Sequence, residues 1–93
     1  MPRFRLGLRA YATVHGQIVI GPYPDPNQVE AEAWAEIRRR CVHLDRALLR
    51  PERNLYPFGG MTLKVISTEK MLPVAVVNIH SLLVRFDGEE EGE

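Results

Sequence analysis

The sequence predicts a small α+β fold in which one helix covers one face of an antiparallel sheet of four or five strands. Near both ends of the chain apolar residues alternate with polar ones, which is the period of a strand. In the middle they recur every three or four residues, which is the period of a helix. The composition, 45% hydrophobic and 26% charged over 93 residues, is that of one globular domain. The elements are predicted in the order ββαββ.

The first two strands are predicted to form a hairpin. Between positions 4 and 14 every even position is apolar, whereas the odd positions are polar, tyrosine or glycine. A histidine and a glycine at positions 15–16 suit a tight turn before the second strand. A two-residue turn places Val19 on the face of Ala12, whereas a longer turn or a bulge places the neighbouring isoleucines there. The sequence leaves both registers open.

The helix is predicted to begin at Pro26, because Asp25 is a good N-cap and proline suits the first helical position. Its apolar stripe comprises Val29, Ala33, Ile37, Cys41, Leu44 and Leu48, with Trp34 at the flank. Pro51 disfavours helical geometry in the residue before it, so the helix must end by Arg50. A break at residues 43–45 would divide it into two helices.

The remainder of the chain is predicted as a loop, two strands and a tail. The loop spans residues 51–60, and the strands span 61–67 and 74–86. The apolar alternation of the last strand changes phase at residues 78–81, which predicts a bulge or a turn there. The folded domain is therefore residues 1–86, and the acidic, glycine-containing residues 87–93 are predicted to form a disordered tail.

The formal net charge of zero is distributed unevenly along the chain. Residues 1–86 hold twelve Lys and Arg against seven Asp and Glu, so the folded body carries +5 and the tail −5. Opposite charges attract, so the tail is expected to compete with an acidic partner for the basic residues of the body.

Residue types that carry chemistry are sparse. The three histidines have no metal-ligand spacing, and Cys41 is the one cysteine and falls on the apolar stripe, where a buried thiol is expected. We therefore predict no enzymatic activity, no catalytic residue, no metal and no cofactor. Without an apolar run of membrane-spanning length or a signal peptide, we predict a cytoplasmic protein that does not engage a membrane.

The strongest functional pattern is a basic ridge that would exist if the helix were continuous. Its members are spaced four, three and four residues apart, with one arginine beyond, and two aromatic residues lie nearby: Arg39, His43, Arg46, Arg50, Arg53, Tyr56 and Phe58. A solvated helix face with local ion pairs is the alternative interpretation. The ridge predicts a binding protein whose partner is a protein or a nucleoprotein complex. Nucleic acid is the alternative partner, and the edge of the last strand offers a route to a homodimer.

Two resemblances accompany this interpretation. Residues 9–20 and the helix start at residues 25–33 resemble small proteins encoded by phages or mobile elements, which open with a hairpin followed by a helix rich in Glu and Ala. That resemblance covers about the first forty residues and implies an accessory or inhibitor protein that binds host machinery. The order strand, strand, helix, helix, strand, strand, with residues 62–65 and the turn at residues 70–73, is similar to the tunnelling fold of pterin-handling enzymes such as dihydroneopterin aldolases. It implies an enzyme subunit in a ring, but it assigns no residue of this chain to the catalytic glutamate of those enzymes.

Overall fold

The computed structural model describes the backbone of residues 4–87 and the side chains of residues 6–82. It confirms the α+β fold: five antiparallel strands form one sheet, and one α-helix packs on it. The elements are β1 (Phe4–Val14), β2 (Gln17–Tyr23), α1 (Pro26–Arg40), a short 3₁₀ helix (Arg46–Leu48), β3 (Leu49–Leu55), β4 (Met61–Ser67) and β5 (Pro73–Asp87). The strand order in the sheet is β2-β1-β5-β4-β3. Three strands therefore follow the helix rather than two.

The core lies between α1 and one face of the sheet. Val29, Ala33 and Ile37 of the predicted stripe are at most 1% exposed, and Leu63 and Val77 of the sheet are fully buried. Burying a valine, leucine or isoleucine side chain contributes about 1.5–3 kcal/mol. Within the described part of the chain, no helix covers the other face of the sheet, and the two buried polar residues on that face are satisfied by hydrogen bonds. They are Thr13, which bonds His80 Nε2, and Thr62, which bonds Asn78 Oδ1 and the Tyr56 hydroxyl.

The helix begins as predicted and ends ten residues before its latest predicted limit. Asp25 caps it, because its side chain accepts a hydrogen bond of 2.9 Å from the backbone N–H of Asn27. The helix ends at Arg40, and Cys41 takes a non-helical conformation. The carboxylate of Asp45 then accepts from the N–H of Ala47 and starts the 3₁₀ helix. A new cap inside the apolar stripe thus breaks the helix, and the continuous alternative is wrong.

The predicted loop over residues 51–60 is wrong in its first half, which forms β3. Proline, glutamate and asparagine are poor strand formers, so this segment has no strand signal of its own. It pairs with β4 from Leu49 opposite Ser67 to Leu55 opposite Met61. Because β3 is an edge strand, Pro51 is tolerated there. Pro22 is tolerated in the other edge strand, β2, for the same reason.

A bulge settles the register of the hairpin. The turn has two residues, since Val14 pairs with Gln17, but a register shift then brings Ile20 rather than Val19 opposite Ala12. Ile20 is consequently buried in the core, whereas Ile18 lies opposite Thr13 on the other face. The bulge lets a tight turn and a buried isoleucine coexist.

The predicted bulge or turn at residues 78–81 is wrong. β5 pairs with β1 without a register shift from Thr13 opposite Asn78 to Phe4 opposite Asp87. The apolar phase changes there because Ile79 is the last residue of β5 that pairs with β4, opposite Met61, the first residue of β4. The residues of β5 after it leave the core and pair with β1 alone. Because these residues have no face buried in the core, their sequence need not alternate between apolar and polar residues.

The two ends of β1 and β5 form a two-stranded ribbon, residues 4–9 and 82–87, that extends beyond the rest of the sheet. β2 pairs with β1 only from Ala10 onward, and β4 pairs with β5 only up to Ile79. The molecule is accordingly elongated, 60 × 26 × 19 Å. Asp87, predicted as the start of the tail, is the last residue of β5, and residues 88–93 lie outside the described part of the chain.

Candidate functional site

The structure does not assemble the predicted basic ridge. Arg39 lies on α1, His43 in the turn that follows, Arg46 in the 3₁₀ helix, and Arg50 and Arg53 on β3. Successive side chains of a strand alternate between its two faces. Arg50 and Arg53 are three positions apart, so they lie on opposite faces of the sheet. The ridge required a helix through Arg50, and that condition is not met.

Three of the predicted arginines are engaged in ion pairs within the chain. Arg39 donates to Glu36, and Arg50 donates to Glu52 at 2.8 Å. Arg53 makes two hydrogen bonds to Glu30 on the helix, at 2.7 and 3.2 Å. For these residues the alternative interpretation, local ion pairs on a solvated surface, agrees with the structure.

Glu36 is held by two cations. Arg40 Nε donates to it at 2.8 Å, beside the bond from Arg39. Burial raises the pKa of the Glu36 carboxyl, but the hydrogen bonds and positive charges of Arg39 and Arg40 outweigh burial and hold that pKa below its ordinary value. Glu36 therefore stays ionised at neutral pH and keeps both arginines occupied.

The two predicted aromatic residues lie away from the arginines of α1. Tyr56 and Phe58 are in the turn between β3 and β4, where the Tyr56 hydroxyl bonds Thr62 and the Phe58 side chain is 99% exposed. The four residue-to-residue steps from Pro51 to Leu55 alone rise about 13 Å along β3. Tyr56 and Phe58 therefore belong to a different surface from Arg46.

A pocket of about 410 Å³ lies where α1, the 3₁₀ helix, β3 and β4 meet. We call it the basic pocket; it is lined by Trp34, Ile37, Arg38, Cys41, Arg46, Leu49, Pro51 and Val65. It forms because the helix ends at Arg40 and the chain crosses to the edge strand, which leaves a gap between the helix flank and β3. Its volume lies within the range of about 300–1,000 Å³ common for ligand sites.

The electrostatics of the basic pocket come from Arg38 and Arg46. Both side chains are exposed, and within the described residues neither guanidinium makes a hydrogen bond or an ion pair. Asp45, the nearest acid in sequence to Arg46, already accepts a hydrogen bond from the N–H of Ala47 at 3.0 Å. The pocket thus combines an apolar interior, one tryptophan wall and two free guanidinium groups, each of which can bind a carboxylate in a bidentate manner.

Sequence reasoning included Arg46 but missed Arg38. The ridge pattern selected every residue by its spacing from Arg39, and Arg38 lies on the neighbouring helix face. A signal was present, since Trp34 and Arg38 are four residues apart and flank the stripe at Ile37. An aromatic residue and a cation at this spacing lie next to each other on the helix, at the edge of its buried face.

The acidic residues 89–93 of the predicted tail lie outside the described part of the chain. The expected competition between the tail and an acidic partner for the basic residues of the body therefore stays a prediction.

Comparisons with protein-family models, with curated proteins and with solved structures found no match to this chain. The two resemblances therefore stay predictions. Among the side chains that the structure describes, those of residues 6–82, no three of His, Cys, Asp or Glu come together as a set of metal ligands. None of the helices in that same range has the length and apolar character needed to cross a bilayer.

Proposed function

We propose that this protein is a non-enzymatic binding protein that recognises an acidic segment of a protein partner through the basic pocket. The observation that carries the proposal is the pair of free guanidinium groups, Arg38 and Arg46, at an apolar pocket with a tryptophan wall. An apolar side chain of the partner enters the pocket, and carboxylates on either side of it bind the two arginines.

The distribution of charge favours an acidic protein segment over nucleic acid. A nucleic-acid backbone needs a continuous series of free cations, because its affinity depends on many phosphate contacts. Four of the six arginines between positions 38 and 53 are held by Glu30, Glu36 or Glu52. The cations that remain free, Arg38 and Arg46, suit two carboxylates rather than a long phosphate backbone.

Fluorescence anisotropy with a labelled peptide tests the proposal. The probe is a short peptide in which glutamates flank a central leucine, and the matched probes replace the leucine by glycine or the glutamates by lysines. We expect saturable binding of the first probe, weaker binding of the glycine probe and none of the lysine probe. Affinity should fall as salt rises, since exposed charge pairs are screened.

A single-stranded oligonucleotide serves as the competing ligand in the same assay. The proposal is wrong if the oligonucleotide binds the protein while the acidic peptide binds no more tightly than the lysine probe. That result would favour the nucleic-acid function.

A further inference from the structure

The second surface that the fold leaves without a partner is the outer edge of the ribbon. β4 pairs with β5 only up to Ile79, so on that side the backbone of residues 80–87 has no neighbouring strand in the described chain. Apolar residues of the ribbon are also exposed: Leu6 is 53% exposed, Leu8 63% and Leu82 40%. The strand edge predicted for β5 is thus open, but only over residues 80–87, since β5 is otherwise a central strand.

An isolated two-stranded ribbon is at best marginally stable in water. Free N–H and C=O groups at its edge can form hydrogen bonds with another strand. Burial of the exposed apolar residues would add to the free energy of that pairing. We propose that the free edge of β5, residues 80–87, pairs antiparallel with the same edge of a second copy and forms a symmetric dimer. This inference does not rest on the proposed function of the basic pocket.

The occupant is a second copy because an antiparallel strand edge is self-complementary about a two-fold axis. Each copy supplies an edge of the same length, and the segment from 81 to 87 contains one arginine and one aspartate, so two copies bring no excess charge together. The free edge of β1, in contrast, holds two arginines and no acid between positions 4 and 9. Charged residues of this kind protect an edge against pairing with another strand.

The fold also limits the register of the dimer. β4 occupies this side of β5 up to Ile79, so the strand of the second copy can pair only with residues beyond Ile79. The two-fold axis must therefore lie at or beyond position 84. With the axis at position 84, residue 81 of one copy is opposite residue 87 of the other. The turn between β3 and β4, which carries the exposed Phe58, then faces the end of the second ribbon.

Sedimentation equilibrium from about 1 µM to about 1 mM, the range of weak and transient interfaces, tests this inference. We expect the wild type to change reversibly from monomer to dimer. Leu82→Glu should raise the dissociation constant at least about tenfold, since a charge replaces an apolar contact at the seam. Leu72→Glu is the matched control: Leu72 is 59% exposed in the turn before β5, far from the ribbon.

Hydrogen exchange of the wild type locates the interface without any variant. Amides within residues 80–87 that are not bonded to β1 should exchange more slowly as protein concentration rises. A wild type that stays monomeric over the whole range contradicts the dimer. So does a loss of association in Leu72→Glu equal to that in Leu82→Glu, or concentration-dependent protection that appears in residues 4–9 instead.

Discussion

Exchanging both free arginines of the basic pocket for glutamate, Arg38→Glu with Arg46→Glu, should weaken binding of the acidic leucine peptide by at least about 100-fold. A hydrogen bond to a charged group contributes about 1.5–3 kcal/mol, so the loss of two such contacts costs about 3 kcal/mol or more. The introduced carboxylates also repel those of the peptide. Circular dichroism should show an unchanged fold, because both side chains are exposed and make no ion pair within the described residues.

The matched control carries the same change in net charge at two arginines of the predicted ridge, Arg39→Glu with Arg50→Glu. Both are engaged with Glu36 and Glu52, so their loss should change peptide affinity by less than about threefold. Equal losses in the two double variants would mean that overall charge, and not the basic pocket, binds the peptide.

Gly21→Ala should be the most destabilising of the glycine substitutions, with a loss of about 3 kcal/mol. Gly21 has a φ of +86°, which costs a residue with a Cβ about 1–2 kcal/mol. In addition, a Cβ at this position would lie 2.8 Å from the carbonyl oxygen of Ala10, a backbone atom that cannot move without disturbing the pairing of β1 with β2.

Gly16→Ala separates the two contributions. Gly16 has nearly the same φ, +81°, but a Cβ there would have no atom within 4 Å. Its substitution should therefore cost about 1 kcal/mol, from the backbone conformation alone. Urea denaturation of both variants measures the difference. Equal losses would contradict the steric cost expected from a Cβ at position 21 next to the Ala10 carbonyl oxygen.

The sequence was most informative where local chemistry and packing agree. The cap at Asp25 and the stripe through Val29, Ala33 and Ile37 were predictable, because the same residues favour the helix and bury against the sheet. β3 was not predictable, because its residues favour a strand only when β4 is there to pair with them. The end of the helix was equally ambiguous, since the capping group at Asp45 lies inside an apolar pattern that continues to Leu48.

The same limit applies to the candidate site. The sequence indicated that arginines between positions 38 and 53 matter, but spacing on a helix cannot show which of them are engaged with glutamates from another element. The bond between Arg53 and Glu30 joins residues 23 positions apart. The basic pocket exists only because the chain leaves the helix and returns along β3, so Arg38 and Arg46 meet through the tertiary fold and not through a local period.

The emission of Trp34 tests the central claim most directly. Trp34 is the one tryptophan of the chain and lines the basic pocket, so its fluorescence reports what enters there. Titration with the unlabelled acidic leucine peptide should shift the emission to shorter wavelength, because an apolar side chain displaces water from the indole. The shift should saturate at the concentration that saturates anisotropy and be much smaller with the glycine peptide. Emission that stays unchanged while anisotropy reports full binding would place the peptide elsewhere and contradict the assignment of the basic pocket.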